Sequence, residues 1–165
     1  KLNNFKLICH VKEGNFLANI THIFHFFSYL NNKALIKKIN KFDFEIIKNE
    51  KRKKYDELKT KLNVKDENKN LLSIQTKKKM NNLITFDIKQ TKPKINFKVL
   101  IKNDNTIYYY RAGKIINNIK FPFSSKTTFI FLKNCINGNF SYMPSFKNDY
   151  KVSKIILKNL NVRIP

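Results

Sequence analysis

Tryptophan is absent from this 165-residue chain. Glycine, alanine and arginine occur three times each: Gly14, Gly113 and Gly138; Ala18, Ala34 and Ala112; Arg52, Arg111 and Arg163. So little glycine leaves almost no material for loops that cradle phosphate. Neither a P-loop nor a GxGxxG turn is present, and GxSxG and HExxH are missing as well. Acids are scarce, 11 in all, and sit in lysine-rich stretches such as Asp56-Glu57 and Asp66-Glu67. No catalytic constellation assembles from them, so the expectation is a protein that is not an enzyme and has no small-molecule substrate. The two cysteines, Cys9 and Cys135, form no CxxC pair and read as ordinary reduced thiols. His22 and His25 are spaced to share a helix edge, but no third ligand lies near them. No metal and no cofactor is expected.

Lysine fills the space the other residues leave. Lys and Arg number 34, giving a formal charge of +23, and 42% of residues are hydrophobic. A core is therefore possible in a chain of about one domain's length. Uncompensated positive charge repels itself and weakens a compact monomer; a polyanion relieves it, and a phosphate backbone is the commonest one. Lys, Asn, Ile and Phe have codons made of A and T, which points to a very AT-rich genome. The Lys excess is partly mutational for that reason. Acid codons are also A-rich, yet acids have not risen in step, so the asymmetry looks selected.

Residues 1–12 hold a short apolar run that suits a strand, broken at Gly14 and Asn15. Residues 1–15 read neither as a secretory signal nor as an Arg- and Ser-rich transit peptide. No charged side chain occurs from Asn15 to Asn32. On a helical wheel Phe16, Leu17, Ile20, Ile23, Phe24, Phe27 and Leu30 share one arc, and Asn15, Asn19, Thr21, His22, His25, Ser28 and Asn32 the other. This two-faced pattern predicts a core-packing helix over 15–31 in place of a membrane span. Residues 33–40 suggest further helical turns, and 42–47 are ambiguous between helix and strand. Residues 48–62 consist of strong helix formers with Tyr55, Leu58 and Leu62 on one face. Residues 63–82 are polar and read as a linker or extension. After Leu83 the pattern changes to strands at 83–89, 95–101, 106–110, 114–120, 127–132, 152–157 and 161–164. Asn103-Asp104-Asn105 suits a turn, and Asn137-Gly138 is a hairpin signal. The fold class expected is α+β. It comprises a helical N-terminal lobe (1–62), a basic linker or extension (63–82) and a β-rich lobe (83–165) with a mixed or antiparallel sheet.

Candidate binding residues are basic and aromatic. Lys51, Arg52, Lys53 and Lys54 form one cluster on the expected helix, and Lys77, Lys78 and Lys79 a second in the expected linker. Both suit phosphate neutralisation without sequence readout, because lysine is a flexible point charge and arginine, the bidentate fork, is rare here. Tyr108 and Tyr110 share a strand face, where rings beside Arg111 and Lys114 suit stacking on unpaired bases.

The C-terminal third resembles the last domain of the S-three family of small-subunit ribosomal proteins, mitochondrial members above all. The family pattern Tyr-Arg-Glu-Gly-Arg-Val is similar to Tyr110-Arg111-Ala112-Gly113-Lys114-Ile115. Its Asp-Tyr pair and closing strand resemble Asp149-Tyr150 and Leu160-Asn161-Val162-Arg163-Ile164. A Tyr-Ile-Pro-Ser segment of fungal mitochondrial members is similar to Tyr142-Met143-Pro144-Ser145. The chain departs from the family where Lys102-Asn103-Asp104 replaces a Ser-Gly-Arg turn, and in the length between Gly113 and Asp149. The resemblance implies a protein of the small-subunit head near the messenger entry side, with Arg111 and Lys114 as RNA contacts and the Asp-Tyr pair structural.

The expectation is thus a structural constituent of an organellar ribosome, in the mitochondrial matrix or another organelle with an AT-rich genome. Its partners are ribosomal RNA, neighbouring ribosomal proteins and messenger RNA near the entry side; membrane is not expected. The alternatives are a membrane-associated accessory subunit of a respiratory complex, suggested by the uncharged 15–32 stretch, a large-subunit ribosomal protein, or a non-specific nucleic-acid binder.

Overall fold

The computed structural model describes residues 2, 4–31, 36–48 (37 and 38 as backbone), 56–91, 93–120, 133, 136–138, 150, 153–154 and 157–158. Strict alternation in Phe5–Lys12 makes the first strand, β1. Phe5, Leu7, Cys9 and Val11 are buried on one side, while Lys6, Ile8, His10 and Lys12 point to the other. Gly14, at φ +81°, turns the chain into helix α1, Phe16–Leu30. Seven strands follow: β2 (Ile36–Lys48), β3 (Asp56–Asp66), β4 (Leu71–Lys77), β5 (Ile84–Gln90), β6 (Ile95–Ile101), β7 (Thr106–Arg111) and β8 (Lys114–Lys120). They form one sheet in the order β2-β3-β4-β1-β5-β6-β7-β8. β1 pairs parallel with β4 and antiparallel with β5, and the remaining pairs are antiparallel. The first strand of the chain therefore lies inside the sheet.

Helix α1 covers one face of the sheet's middle. Phe16, Ile20, Ile23, Phe24 and Phe27 are buried against Leu7, Cys9, Leu62, Val64, Leu72, Ile74 and Phe86. This is the apolar arc read from the sequence, except that Leu17 remains 40% exposed. Each buried phenylalanine contributes about 1.5–3 kcal/mol by leaving water. Carboxylates of β3 fix the helix at both ends. At its start, the Leu17 N–H donates to Glu57 Oε1 at 2.8 Å, and the Leu58 N–H donates to the same oxygen at 2.9 Å. Negative charge is favourable at this positive end of the helix dipole. At its finish, Asn31 Nδ2 donates to buried Asp66 Oδ2 at 2.9 Å. Asn70 donates to both Asp66 oxygens, through its backbone N–H and its side-chain amide, each at 2.8 Å. Asn70 Oδ1 in turn accepts the Phe5 N–H at 3.1 Å.

The expected helical N-terminal half is overturned. From Ile36 to Asp66 the described residues are strand: residues 36–40, expected as helical turns, begin β2, and residues 56–62 of the expected basic helix are in β3. Residues 63–82, expected as linker, supply the end of β3 and all of β4, an interior strand. The fold is a mixed eight-stranded sheet with a helix on one face. Leu58 and Leu62 lie four apart, which places them on one face of a helix and equally on one face of a strand. Alternation decides for the strand, because Leu58, Thr60, Leu62, Val64 and Asp66 are all buried. Helix propensity of the intervening lysines is worth a few tenths of a kcal/mol each and loses to that burial.

The strands expected at 83–89, 95–101, 106–110 and 114–120 correspond to β5–β8 within a residue or two. The turn at Asn103-Asp104-Asn105 is also present, with Asp104 Oδ1 accepting the Thr106 N–H at 3.1 Å. Asn137-Gly138 does not make a hairpin. Asn137 N–H donates back to Lys133 O at 3.1 Å, and Gly138 at φ +70° follows a helical turn, the usual role of a C-terminal glycine. Ser153, Lys154 and Leu157 are helical, not strand. The strands expected at 127–132 and 161–164 lie outside the described residues.

Candidate nucleic-acid interface

The sheet face opposite α1 is not covered by any other element among the described residues. Alternation sends one residue in two to that face, and lysine is the commonest residue there. Lys6 and Lys12 come from β1, Lys59, Lys61 and Lys65 from β3, Lys77 from β4, Lys89 from β5 and Lys98 from β6. Three acids share the face and each has a cation: Asp43 with Lys41 at 3.0 Å, Glu45 with Lys59 at 2.8 Å and Asp87 with Lys98 at 3.7 Å. The other lysines make no ion pair among the described residues.

Register turns this excess into direct confrontation. Lys6 is opposite Lys89 across β1 and β5, and Lys12 is opposite Lys77 across β1 and β4. Like charges facing one another across strands are destabilising. Between the two lysine pairs lies His10, whose buried Nδ1 has no hydrogen-bond partner. Burial lowers its pKa from the ordinary 6.5, helped by the Lys77 ammonium; the Asp87 carboxylate opposes the shift and Lys98 adds to it.

Further along the same face, Tyr108 stands opposite Leu100 and Tyr110 opposite Lys98. The two tyrosines share the uncovered face, as alternation requires. Lys102 Nζ lies 4.5 Å from the centroid of the Tyr108 ring, a cation–π contact. Tyr110 lines a cleft of about 380 Å³ together with Asp87, Asn96, Lys98, Leu100, Ala112 and Gly113. The rim is the β7–β8 turn, where Ala112 (φ +48°) and Gly113 (φ +81°) are both left-handed and Arg111 pairs with Lys114. That is the two-residue hairpin geometry of a type I′ turn.

The expected site residues do not come together as one patch. Arg111 pairs with Phe97 and Lys114, and its guanidinium carbon lies 5.9 Å from the Phe97 ring centroid, on the helix side of the sheet. Arg111 and Lys114 are exposed but back away from the two tyrosines. Lys77 ends β4 on the uncovered face, and exposed Lys78 and Lys79 continue from it beside Lys12. Lys51, Arg52, Lys53 and Lys54 lie outside the described residues. Sequence reasoning missed Lys6, Lys12, Lys61, Lys65 and Lys89, because it sought consecutive basic runs. The period of two in 5–12, 58–66 and 84–90 is the signal that finds them.

No helix among the described residues is long and apolar enough to cross a membrane. Comparison of the chain with protein-family models, with curated proteins and with solved structures finds no match.

Proposed function

We propose that this chain is a structural RNA-binding protein of an organellar ribosome, a constituent of the small subunit, that lays the uncovered face of its sheet against ribosomal RNA. The observation that carries this reading is the pairing of like charges, Lys6 with Lys89 and Lys12 with Lys77, on a face where Asp43, Glu45 and Asp87 each already have a lysine beside them. Phosphates placed between such lysines replace repulsion by attraction, and counterion release supplies affinity. The net charge of +23 and the resemblance around Tyr110-Arg111-Ala112-Gly113-Lys114 support the same reading.

Binding to small-subunit ribosomal RNA fragments across a salt series tests it, comparing wild type with a Lys6→Ala, Lys12→Ala, Lys77→Ala, Lys89→Ala variant. Each lost phosphate contact flattens the slope of log affinity against log salt by roughly 0.7–0.9. An unchanged slope returns this face to solvent. The ribosomal part is read from gradients: the chain co-migrates with small-subunit RNA and stays with that subunit when EDTA separates the particle. Retention in the membrane pellet after carbonate extraction would replace this reading with the respiratory-complex one.

A further inference from the structure

Resting on the proposed RNA-binding role, we infer that the cleft at Tyr110 is a pocket for one unpaired base, and that it selects guanine. The cleft is the place on this face where an aromatic side chain, a carboxylate, an amide and an ammonium converge: Tyr110, Asp87, Asn96 and Lys98. Its volume of about 380 Å³ lies within the range of small-molecule sites. A base pushed into it stacks on the aromatic wall, which is tolerant of base identity. Selection comes from the polar groups.

An ionised carboxylate only accepts hydrogen bonds, and it accepts two side by side. Guanine offers two adjacent donors on its Watson–Crick edge, N1–H and the 2-amino group, followed by the O6 acceptor. Asp87 takes the two donors. Lys98 Nζ, 3.7 Å from the Asp87 carboxylate, and the Asn96 amide supply donors for O6. Adenine turns the N1 lone pair toward the carboxylate. Uracil flanks its one N3–H with two carbonyl oxygens, and cytosine presents N3 as an acceptor beside its single amino group. Each of these meets Asp87 with at least one repelled lone pair. The lysine pairs around His10, on β4, β1 and β5, lie on the same face beyond Asp87 and carry the flanking phosphates.

The cleft owes its shape to tertiary register. Asp87 is opposite Lys98, and Lys98 is opposite Tyr110, so three strands line up one polar row. The tight turn at Ala112-Gly113 ends β7 one residue beyond Tyr110 and closes the row.

The test uses the whole 165-residue chain and short single-stranded oligoribonucleotides, uridine throughout except for one central position, titrated by fluorescence anisotropy at fixed salt. Guanine at that position is expected to bind roughly tenfold tighter than adenine, cytosine or uracil. Inosine, which lacks the 2-amino group, loses most of that advantage on the wild-type protein, where folding of a variant is not in question. Asp87→Asn abolishes the preference and leaves the salt slope unchanged, and Tyr110→Ala weakens all four oligomers alike. Equal affinity for all four bases overturns the pocket and leaves the phosphate-binding reading standing. So does a guanine preference that survives both inosine and Asp87→Asn. Failure of every oligomer and of ribosomal RNA to bind sinks both.

Discussion

Replacing Asp66 by alanine removes the acceptor of three hydrogen bonds at once. Asp66 and Asn70 are 2% and 1% exposed, and the three donors are the Asn31 amide, the Asn70 amide and the Asn70 backbone N–H. A hydrogen bond to a charged acceptor contributes about 1.5–3 kcal/mol, so three sum to roughly 4–9 kcal/mol. Removing the charge also removes a desolvation penalty of several kcal/mol, which offsets part of the loss. The balance is a destabilisation of about 3 kcal/mol, or roughly 10 °C in melting temperature for a unit of this size. Asn31→Ala deletes one of the three bonds and costs about 1–2 kcal/mol. Urea unfolding of wild type, both single variants and the double variant completes a cycle. The double variant should be less destabilised than the sum by about 1 kcal/mol, since the second change removes a bond already broken. If Asp66→Ala lies within about 0.5 kcal/mol of wild type, the carboxylate does not tie α1, the β3–β4 turn and β1 together, and the reasoning fails.

Other outcomes follow from the same geometry. Phe27→Ala empties a site that is 0% exposed and packed 5.7 Å from the Phe5 ring, and should cost about 3–5 kcal/mol by urea unfolding. Lys89→Glu converts a repelling pair with Lys6 into an attracting one; melting temperature should rise while affinity for ribosomal RNA falls, and a parallel change in both would contradict the proposed face. Ala112→Asn relieves a left-handed alanine with a residue that tolerates that conformation, and should stabilise by up to about 1 kcal/mol in the same assay. His10 has a folded pKa below its ordinary 6.5, so the unfolded chain takes up the proton first. Its contribution to stability is complete above about pH 6.5 and is lost as pH falls through the interval down to the folded pKa. Chemical unfolding at pH 7.5 and 5.5 should therefore show a smaller acid loss in His10→Gln than in wild type.

The sequence by itself determined α1 and most of the later strands. An uncharged stretch with period 3.6 has one way to bury its apolar side, and Phe16, Ile20, Ile23, Phe24 and Phe27 took it. β5–β8 follow one another as neighbours, so local alternation and intervening turns sufficed to place them. The excess of lysine and the pairing of Tyr108 with Tyr110 on one face were equally legible. Tertiary structure decided the rest. Residues 56–66 contain strong helix formers and become an inner strand because Leu58, Leu62 and Val64 meet α1 and β4, a gain that no local propensity records. β1 is first in the chain yet sits between β4 and β5, a pairing across more than sixty residues of sequence (Lys6 with Leu71) that depends on which strands share an apolar face. That placement opposes Lys6 to Lys89 and Lys12 to Lys77, and the register of β5, β6 and β7 aligns Asp87, Lys98 and Tyr110 across three strands. Alternation alone separates Arg111 from Tyr110, its neighbour in sequence, since successive residues of a strand point to opposite faces. Charge and periodicity are properties of the chain; which charges confront one another is a property of register, and register is set by burial on the other side of the sheet.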